Sequence, residues 1–417
     1  KIMLVRNRLS RIYFGRKFYS YPVRLDMQTM RNLGAWRMIR IGFSYVKAWL
    51  KPIKPEESLE DFFINRFGKQ LYLTFFKDYT EKVWGVSCRE IHPEWGSQRV
   101  KGLSVSKALI HALKSVFPKE KTISQKNTET SLIERFLYPK FGPGQLWQEV
   151  AAHVQERGGE IRYHCRVTKL EWVGSSVSGL WYRQEPSGKE YGLSGDYIIS
   201  TMPVRDLILG MGPQIPEPVR LVANGLIYRD FITLGLLFKK MTIGPKNHAG
   251  QPLVPDTWIY IQESDVKVGR VQVFNHWSPY LVKDPDTVWL GLEYFCQEGD
   301  ALWTMPDEQL IQMGVAELEK MGLCSSQDYL DGTVVKMPKT YPAYFGTYDQ
   351  FDIIRRFMDP IENLFLIGRN GMHRYNNQDH SMLTAMKAVD LILAGQTNKE
   401  SIWAVNTEDD YHETASK

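Results

Sequence analysis

The sequence predicts an α/β fold: a layered domain with a parallel sheet, interrupted by a helical insertion and accompanied by an antiparallel sheet. Three observations carry this reading. Residues 139–204 alternate a helical pattern with strand patterns and end in YIISTMPV, a short apolar run of the buried parallel type. Residues 27–117 hold a helical period, with Leu33, Trp36, Met38, Ile41, Tyr45 and Trp49 about 3.6 residues apart. Residues 228–300 are β-rich, with ITLGLLF, WIYIQ, RVQVFNHW and VWLGLEYF separated by Gly, Pro and Asp turns.

Composition sets the bounds. A chain of 417 residues holds two or three structural units around substantial cores. Hydrophobic residues make up 43% and charged residues 24%, both ordinary for a globular protein. The net charge of +5, from 52 basic and 47 acidic residues, is too balanced for a nucleic-acid partner and does not repel an anionic ligand. No apolar run reaches the roughly 20 residues that span a bilayer, and no secretory signal is visible, so stable membrane insertion is not expected. Cys88, Cys165, Cys296 and Cys324 show no metal-ligand spacing and read as thiols in a reducing cytoplasm.

Each element follows from local chemistry. Ile12, Phe14, Phe18, Tyr19, Tyr21 and Val23 around Gly15-Arg16-Lys17 predict a hairpin that Pro22 ends or confines to a sheet edge. The first long helix stops at Pro52 and Pro55, and Ser58 opens the next, with Asp61 completing a capping box. Its buried stripe is Phe62, Phe63, Phe67, Leu71, Phe75 and Phe76. After the Phe141-Gly-Pro-Gly turn, a helix is expected over 145–157 with Leu146, Val150 and Val154 on one face and Gly158-Gly159 at its end. Ile161, Tyr163 and Val167 then open a strand, and Pro186-Ser-Gly188 turns a hairpin. A helix over 306–321 starts with Asp307 and Glu308 in its first turn, and a strand near 333–337 leads to the Tyr/Pro loop KTYPAYFGTYD.

The segment LIGRNGMHRYNNQDHSMLTAM, residues 366–386, concentrates the chemistry. The buried strand NLFLIG ends in Gly368, a polar loop follows, and a helix begins near Asp379 or His380 with Asp379 as N-cap. Met382, Leu383, Met386, Val389 and Leu393 form that helix's apolar face, and Gly395 ends it. A strand tip feeding a helix N-terminus presents free N–H groups and about half a positive charge to a ligand. Arg369 adds a cation suited to a pyrophosphate, and the small Ser381, Thr384 and Ala385 allow a flat ring to approach.

This segment resembles the C-terminal flavin-binding motif of the protoporphyrinogen/amine oxidase-like FAD superfamily. Its GR-x-G…RY…NQDHS pattern is similar to the UDP-galactopyranose mutases, with a shorter stretch between Tyr375 and Asn377. PKFGPGQLWQEVAAHVQERGGEIRYHCRVTKLEW, YIISTMP and EKVWGVSCREIHPEWGSQRV resemble further parts of the same superfamily. The resemblance implies FAD as cofactor, with Val167, Gly368, Arg369, Asn377, Gln378, Asp379, His380, Ser381, Met382 and Ala385 around it. It gives Tyr341, Arg374 and Tyr375 a substrate role, implies no metal, and makes the fold a Rossmann-like FAD domain with a helical insertion and a substrate sheet. Residues 1–25 would be a remnant of the FAD and substrate region, 26–137 the helical insertion, 138–210 and 346–398 the FAD-binding parts, 211–345 the substrate sheet, and 399–417 a tail.

The superfamily opens with a strand–GxGxxG–helix unit that holds the FAD pyrophosphate. This sequence contains none, since Gly210-Met-Gly212 runs into Pro213, and it starts on Lys1. The expectation is a fragment whose FAD binding by itself is weak or lost. The implied activity is an FAD-dependent oxidoreductase acting on a small molecule, with the flavin rather than a protein base as the reacting group. One alternative is a mutase whose reduced flavin acts covalently on a nucleotide sugar; another is a truncated, non-catalytic paralogue. His276 and Glu293 lie on the expected substrate sheet, where a lone His or Glu is more often structural. Trp36, Trp49 and Trp95 in the helical block are read either as buried packing or as the face of a homo-oligomer.

Overall fold

A computed structural model describes residues 2–21, 23, 27–99, 135–248 and 250–405. The chain divides into two compact units. Among the described residues, one comprises those up to Val150 and Asp230–Pro338, and the other Ala151–Arg229 and those from Lys339 onward.

The first unit is built on a seven-stranded sheet in the order β13-β9-β12-β11-β10-β2-β3. Its strands are β2 (Ser10–Phe14), β3 (Lys17–Ser20), β9 (Leu226–Phe238), β10 (Trp258–Ile261), β11 (Arg270–Val273), β12 (Val288–Cys296) and β13 (Tyr329–Gly346). Along β9, Ile232, Leu234, Leu236 and Phe238 alternate into the core, where Leu310 and Leu318 of helix α11 (Asp307–Lys320) meet them. The expected hairpin is β2–β3, with Gly15 and Arg16 both at positive φ, as a two-residue turn requires. It joins the sheet through a parallel pairing of β2 with β10, and β3 is the edge strand. RVQVFNHW was expected to be strand throughout; it leaves the sheet after Val273 and closes into a single turn, α10 (Phe274–Trp277). A separate pair joins β1 (Met3–Asn7) to β4 (Arg135–Pro139).

The helical block contains α1 (Met27–Leu33), α2 (Ala35–Leu50), α3 (Leu59–Phe67), α4 (Lys69–Phe75), α5 (Lys77–Trp84) and α6 (Pro93–Arg99). The predicted capping box is present: the Ser58 hydroxyl accepts from the Asp61 N–H, and the Asp61 carboxylate accepts from the Ser58 N–H. Phe62, Phe63, Phe67, Leu71 and Phe75 are buried as expected, but the helix they share is broken at Gly68. Gly68 has φ 76°, and a Cβ there would lie 2.7 Å from the Tyr45 backbone nitrogen, so α2 and the α3–α4 joint touch backbone to backbone. The expected helical residues 100–117 lie outside the described residues. Helix α7 (Pro143–Glu156) forms where predicted, but none of its residues is buried, and its Val150 and Val154 face is exposed.

The second unit holds a three-stranded meander, β5 (Cys165–Val173), β6 (Ser176–Gln184) and β7 (Lys189–Ser194), and a parallel pair, β8 (Ile198–Ser200) with β14 (Leu364–Leu366). Around them lie α8 (Val204–Gly210), α9 (Glu217–Gly225), α12 (Phe351–Met358), α13 (Gly368–Gly371), α14 (Gln378–Leu393) and α15 (Glu400–Trp403). Their core gathers Leu207, Ile208, Val222, Ile354, Phe365 and Trp403. Among the described residues β8 has β14 as its one strand neighbour, so Ile199 is exposed where a two-sided buried strand was expected. The Tyr/Pro loop is corrected: its residues 339–346 belong to β13, with Tyr341, Ala343 and Tyr344 buried. Among the described residues no helix is long and apolar enough to cross a membrane.

Gly68→Ala is expected to destabilise the protein by about 2–4 kcal/mol, from positive-φ strain and overpacking. Gly15→Ala, with nothing within 4 Å of its added Cβ, costs about 1 kcal/mol. Urea unfolding of both variants measures the difference.

Candidate functional site

Strand β14 is three residues long and wholly buried, and Ile367 extends it by donating its N–H to the Ser200 carbonyl at 3.0 Å. The chain then turns at Gly368, whose φ of 73° is a left-handed value that glycine adopts without strain. Its N–H donates to the Thr384 hydroxyl at 3.0 Å, and that hydroxyl donates to the Ser381 carbonyl at 2.7 Å. The strand end is thereby tied to the second turn of α14. The single turn α13 rests on the end of β8: a Cβ on Gly371 would lie 2.6 Å from the Ser200 carbonyl oxygen. Asn370 fixes its outer side by donating to the Lys339 carbonyl at 2.8 Å.

The polar knot after α13 is ordered by three anchors. Arg369 donates through Nε and Nη2 to the Asn376 carbonyl, at 3.2 and 2.6 Å, and through Nη1 to the Thr340 carbonyl at 3.1 Å. Its guanidinium also lies 4.9 Å from the Tyr375 ring centroid and 5.3 Å from that of Tyr341. Those two rings stack on each other, 5.3 Å apart and 10° from parallel. The Tyr344 hydroxyl accepts the Tyr375 N–H at 3.0 Å. Three of the five N–H groups of Arg369 hold the chain's own carbonyls, which is the geometry of a clamp.

His373 is the third anchor. It is fully buried, with Nε2 3.1 Å from the Ala343 carbonyl, which only accepts, so the proton sits on Nε2 and the ring is neutral. The Tyr228 ring meets it edge-on at 4.8 Å, and Phe351 stacks at 5.9 Å. Burial pushes its pKa down to about 4, partly opposed by the carbonyl bond. This histidine is a structural donor.

Helix α14 begins at Gln378, one to two residues earlier than expected, and its N-cap is Asn377 rather than Asp379, which sits in the first turn. The Asn377 side chain makes no capping hydrogen bond. The helix also turns a different face inward from the one predicted. Thr384, Ala388 and Leu391 are buried, whereas Met382, Met386, Val389 and Leu393 are exposed. Close contact with Gly368 requires small residues on the inner side, and Ala385 lies beside them, half-buried. Ser381 donates to the Asn376 side-chain oxygen at 3.1 Å, and His380 Nδ1 lies 3.3 Å from Asp379 Oδ1. Val167 lies apart from this cluster in sequence, on β5 opposite Tyr182, half-buried.

Asn376 and Thr384, which sequence reasoning left out of the cofactor set, belong to the same strand–turn–helix corner. Asn376 is buried, and its side-chain Nδ2 has no partner. A buried Arg374 Nη1 is likewise unpaired. Unsatisfied donors of this kind are costly unless a ligand accepts from them. By contrast, His276 and Glu293 are internally engaged. His276 bonds the Val254 carbonyl at 2.8 Å, and Glu293 is buried against Arg270 and Gln272.

The sequence matches, over residues 45–393, the family model described as flavin containing amine oxidoreductase. The chain belongs to that family. Its fold is similar to that of reduced UDP-galactopyranose mutase, at 18% identity and a TM-score of 0.76, with 96% of this chain and 80% of that one covered. It is also similar to an Exiguobacterium sp. 255-15 protein assigned as a protoporphyrinogen oxidase, at 14% identity and a TM-score of 0.62, covering 94% and 82%. Cyclohexylamine oxidase from Brevibacterium oxydans IH-35A matches at 10% identity and a TM-score of 0.53, covering 89% and 77%. Curated proteins give no sequence match. The family's cofactor is FAD, and the residues present fit it. A helix N-terminus that the Asn377 side chain does not cap, an open Gly368 and the unpaired Asn376 amide all belong to one strand–turn–helix corner.

Because His373 is neutral in the fold and protonates near its ordinary value of 6.5 when unfolded, the unfolded chain binds more protons between pH 6.5 and about 4. Its contribution is complete above pH 6.5 and is lost as pH falls toward 4, a change of about 3 kcal/mol. His373→Asn tolerates the positive φ and removes the titration, so its stability should fall less than the parent's between pH 7 and 5 in urea unfolding.

Proposed function

We propose that the protein is an FAD-dependent oxidoreductase of the amine oxidase-like superfamily, acting on a small organic substrate. The observation that carries this reading is the corner at Gly368 and the N-terminus of α14, where tied backbone and unpaired donors stand ready for a cofactor. FAD, when bound, accepts or donates the hydride. The chain's own part is to hold and orient. The first turn of α14 favours electron density on the adjacent ring, and Asn376 Nδ2 supplies a neutral hydrogen bond. Gly368, Gln378, Asp379, His380, Ser381 and Ala385 form the surrounding wall, and residues 138–210 and 346–398 are the cofactor-binding segments. The four free cysteines, three of them buried, fit a cytoplasmic location.

A second reading, a nucleotide-sugar mutase, is favoured by the Tyr341–Tyr375 stack and the unpaired Arg374 Nη1. Two phenolic hydroxyls donate to phosphate oxygens without adding charge, and Arg374 balances the diphosphate.

Anaerobic addition of an amine or related reductant to the FAD-loaded protein is expected to bleach the flavin absorbance, and oxygen or a dye to restore it. Interconversion of UDP-sugars only after chemical reduction, with no net electron transfer, would decide for the mutase instead. Under either reading Asn376→Leu should weaken FAD binding about tenfold, or about 1.4 kcal/mol, in a fluorescence titration.

A further inference from the structure

We propose that the outer face of α2 docks on the surface of an anionic phospholipid bilayer, lying in the interface without crossing it. Trp36, Ile39, Phe43, Val46 and Leu50 follow one another at steps of three and four residues and form a single stripe. All five are exposed, Trp36 by 72% and Phe43 by 75%. The opposite side of the same helix, at Ile41 and Ala48, is buried against the block that contains α3 and α4. A helix apolar on both faces is ordinarily covered on both.

Charge identifies the cover. Residues 27–55 contain Arg31, Arg37, Arg40, Lys47, Lys51 and Lys54 and no Asp or Glu. Arg40 and Lys47 stand one turn on from Trp36 and Phe43 and so border the stripe. Residues 27–55 of a second copy would bring the same cations to this face and no acidic partner for them. An anionic surface meets them favourably, and the cytoplasmic leaflet of a membrane is one. Trp36, on the stripe and 72% exposed, supplies an indole suited to the headgroup layer. The 16 residues of α2 are about 24 Å long, and a span needs roughly 20 apolar residues, so the helix lies flat.

Vesicle flotation tests this with phosphatidylcholine alone and with phosphatidylcholine containing phosphatidylserine. The protein should bind the anionic vesicles about tenfold or more tightly, with a blue shift of tryptophan emission and a loss on adding salt. Ile39→Glu/Phe43→Glu should reduce binding about tenfold or more, and Arg40→Glu/Lys47→Glu should abolish the preference for anionic lipid. All four positions are exposed, and circular dichroism checks that the variants fold. No binding to either vesicle, equal binding to both, or binding unchanged by Ile39→Glu/Phe43→Glu would overturn the proposal. So would light scattering in which that variant converts a dimer to a monomer, because the face would then belong to a second copy.

Discussion

The hydrogen bond from the Gly368 N–H to the Thr384 hydroxyl is the constraint on which the candidate site depends. It requires a backbone that turns sharply at the end of β14 and a short hydroxyl on the helix facing it. Thr384 passes the interaction on to the Ser381 carbonyl, so strand tip, hydroxyl and helix form one continuous chain of donors and acceptors. Side chains larger than those of Ser381 and Thr384 beside Gly368 would hold the helix away. The N-terminus of α14 is therefore fixed at the strand tip.

The sequence reads both arginines of the motif as ligand groups, Arg369 toward the cofactor and Arg374 toward the substrate. Arg369 is committed to the carbonyls of Asn376 and Thr340 and to the faces of Tyr341 and Tyr375. In that position it fixes the loop carrying Arg374, Tyr375 and Asn376. A guanidinium suits this work because its planar fork reaches several acceptors at once. Arg374 retains a buried donor without a partner, and so does Asn376. The clamp is built from the residue nearest the strand, and the groups free to meet a ligand come after it.

The legible parts of the fold were those set by local chemistry. The Ser58–Asp61 capping box, the Gly15-Arg16 turn and the Pro186–Gly188 turn each depend on a few adjacent residues, and the strand–turn–helix order at 364–393 was visible in NLFLIG and the following polar run. What failed was inference from apolar period to burial. In α14 the predicted face, with Met386 and Leu393, is open, because close helix–strand packing selects Thr384 and Ala388. In β13 the cluster Tyr341-Pro-Ala-Tyr344 looked like a surface loop, although its rings are buried and Lys339, at φ 51°, takes up the bend. The role of Arg369 was hidden for a related reason: its acceptors are backbone carbonyls, which no side-chain pattern reveals.

The charge of the site follows from these assignments and bears on its chemistry. His373, the titratable ring beside Tyr228 and Phe351, is kept neutral by burial. Arg369 keeps its positive charge while its N–H groups hold neutral carbonyls, so it adds to the positive potential that the dipole of α14 and Arg374 provide near the strand tip. A fixed, modest positive field stabilises electron density spread over a ring without requiring a proton transfer from the protein. Net redox chemistry and sugar isomerisation both need that field. The choice between them rests with the groups that orient the substrate, which under the mutase reading include the parallel Tyr341 and Tyr375 rings.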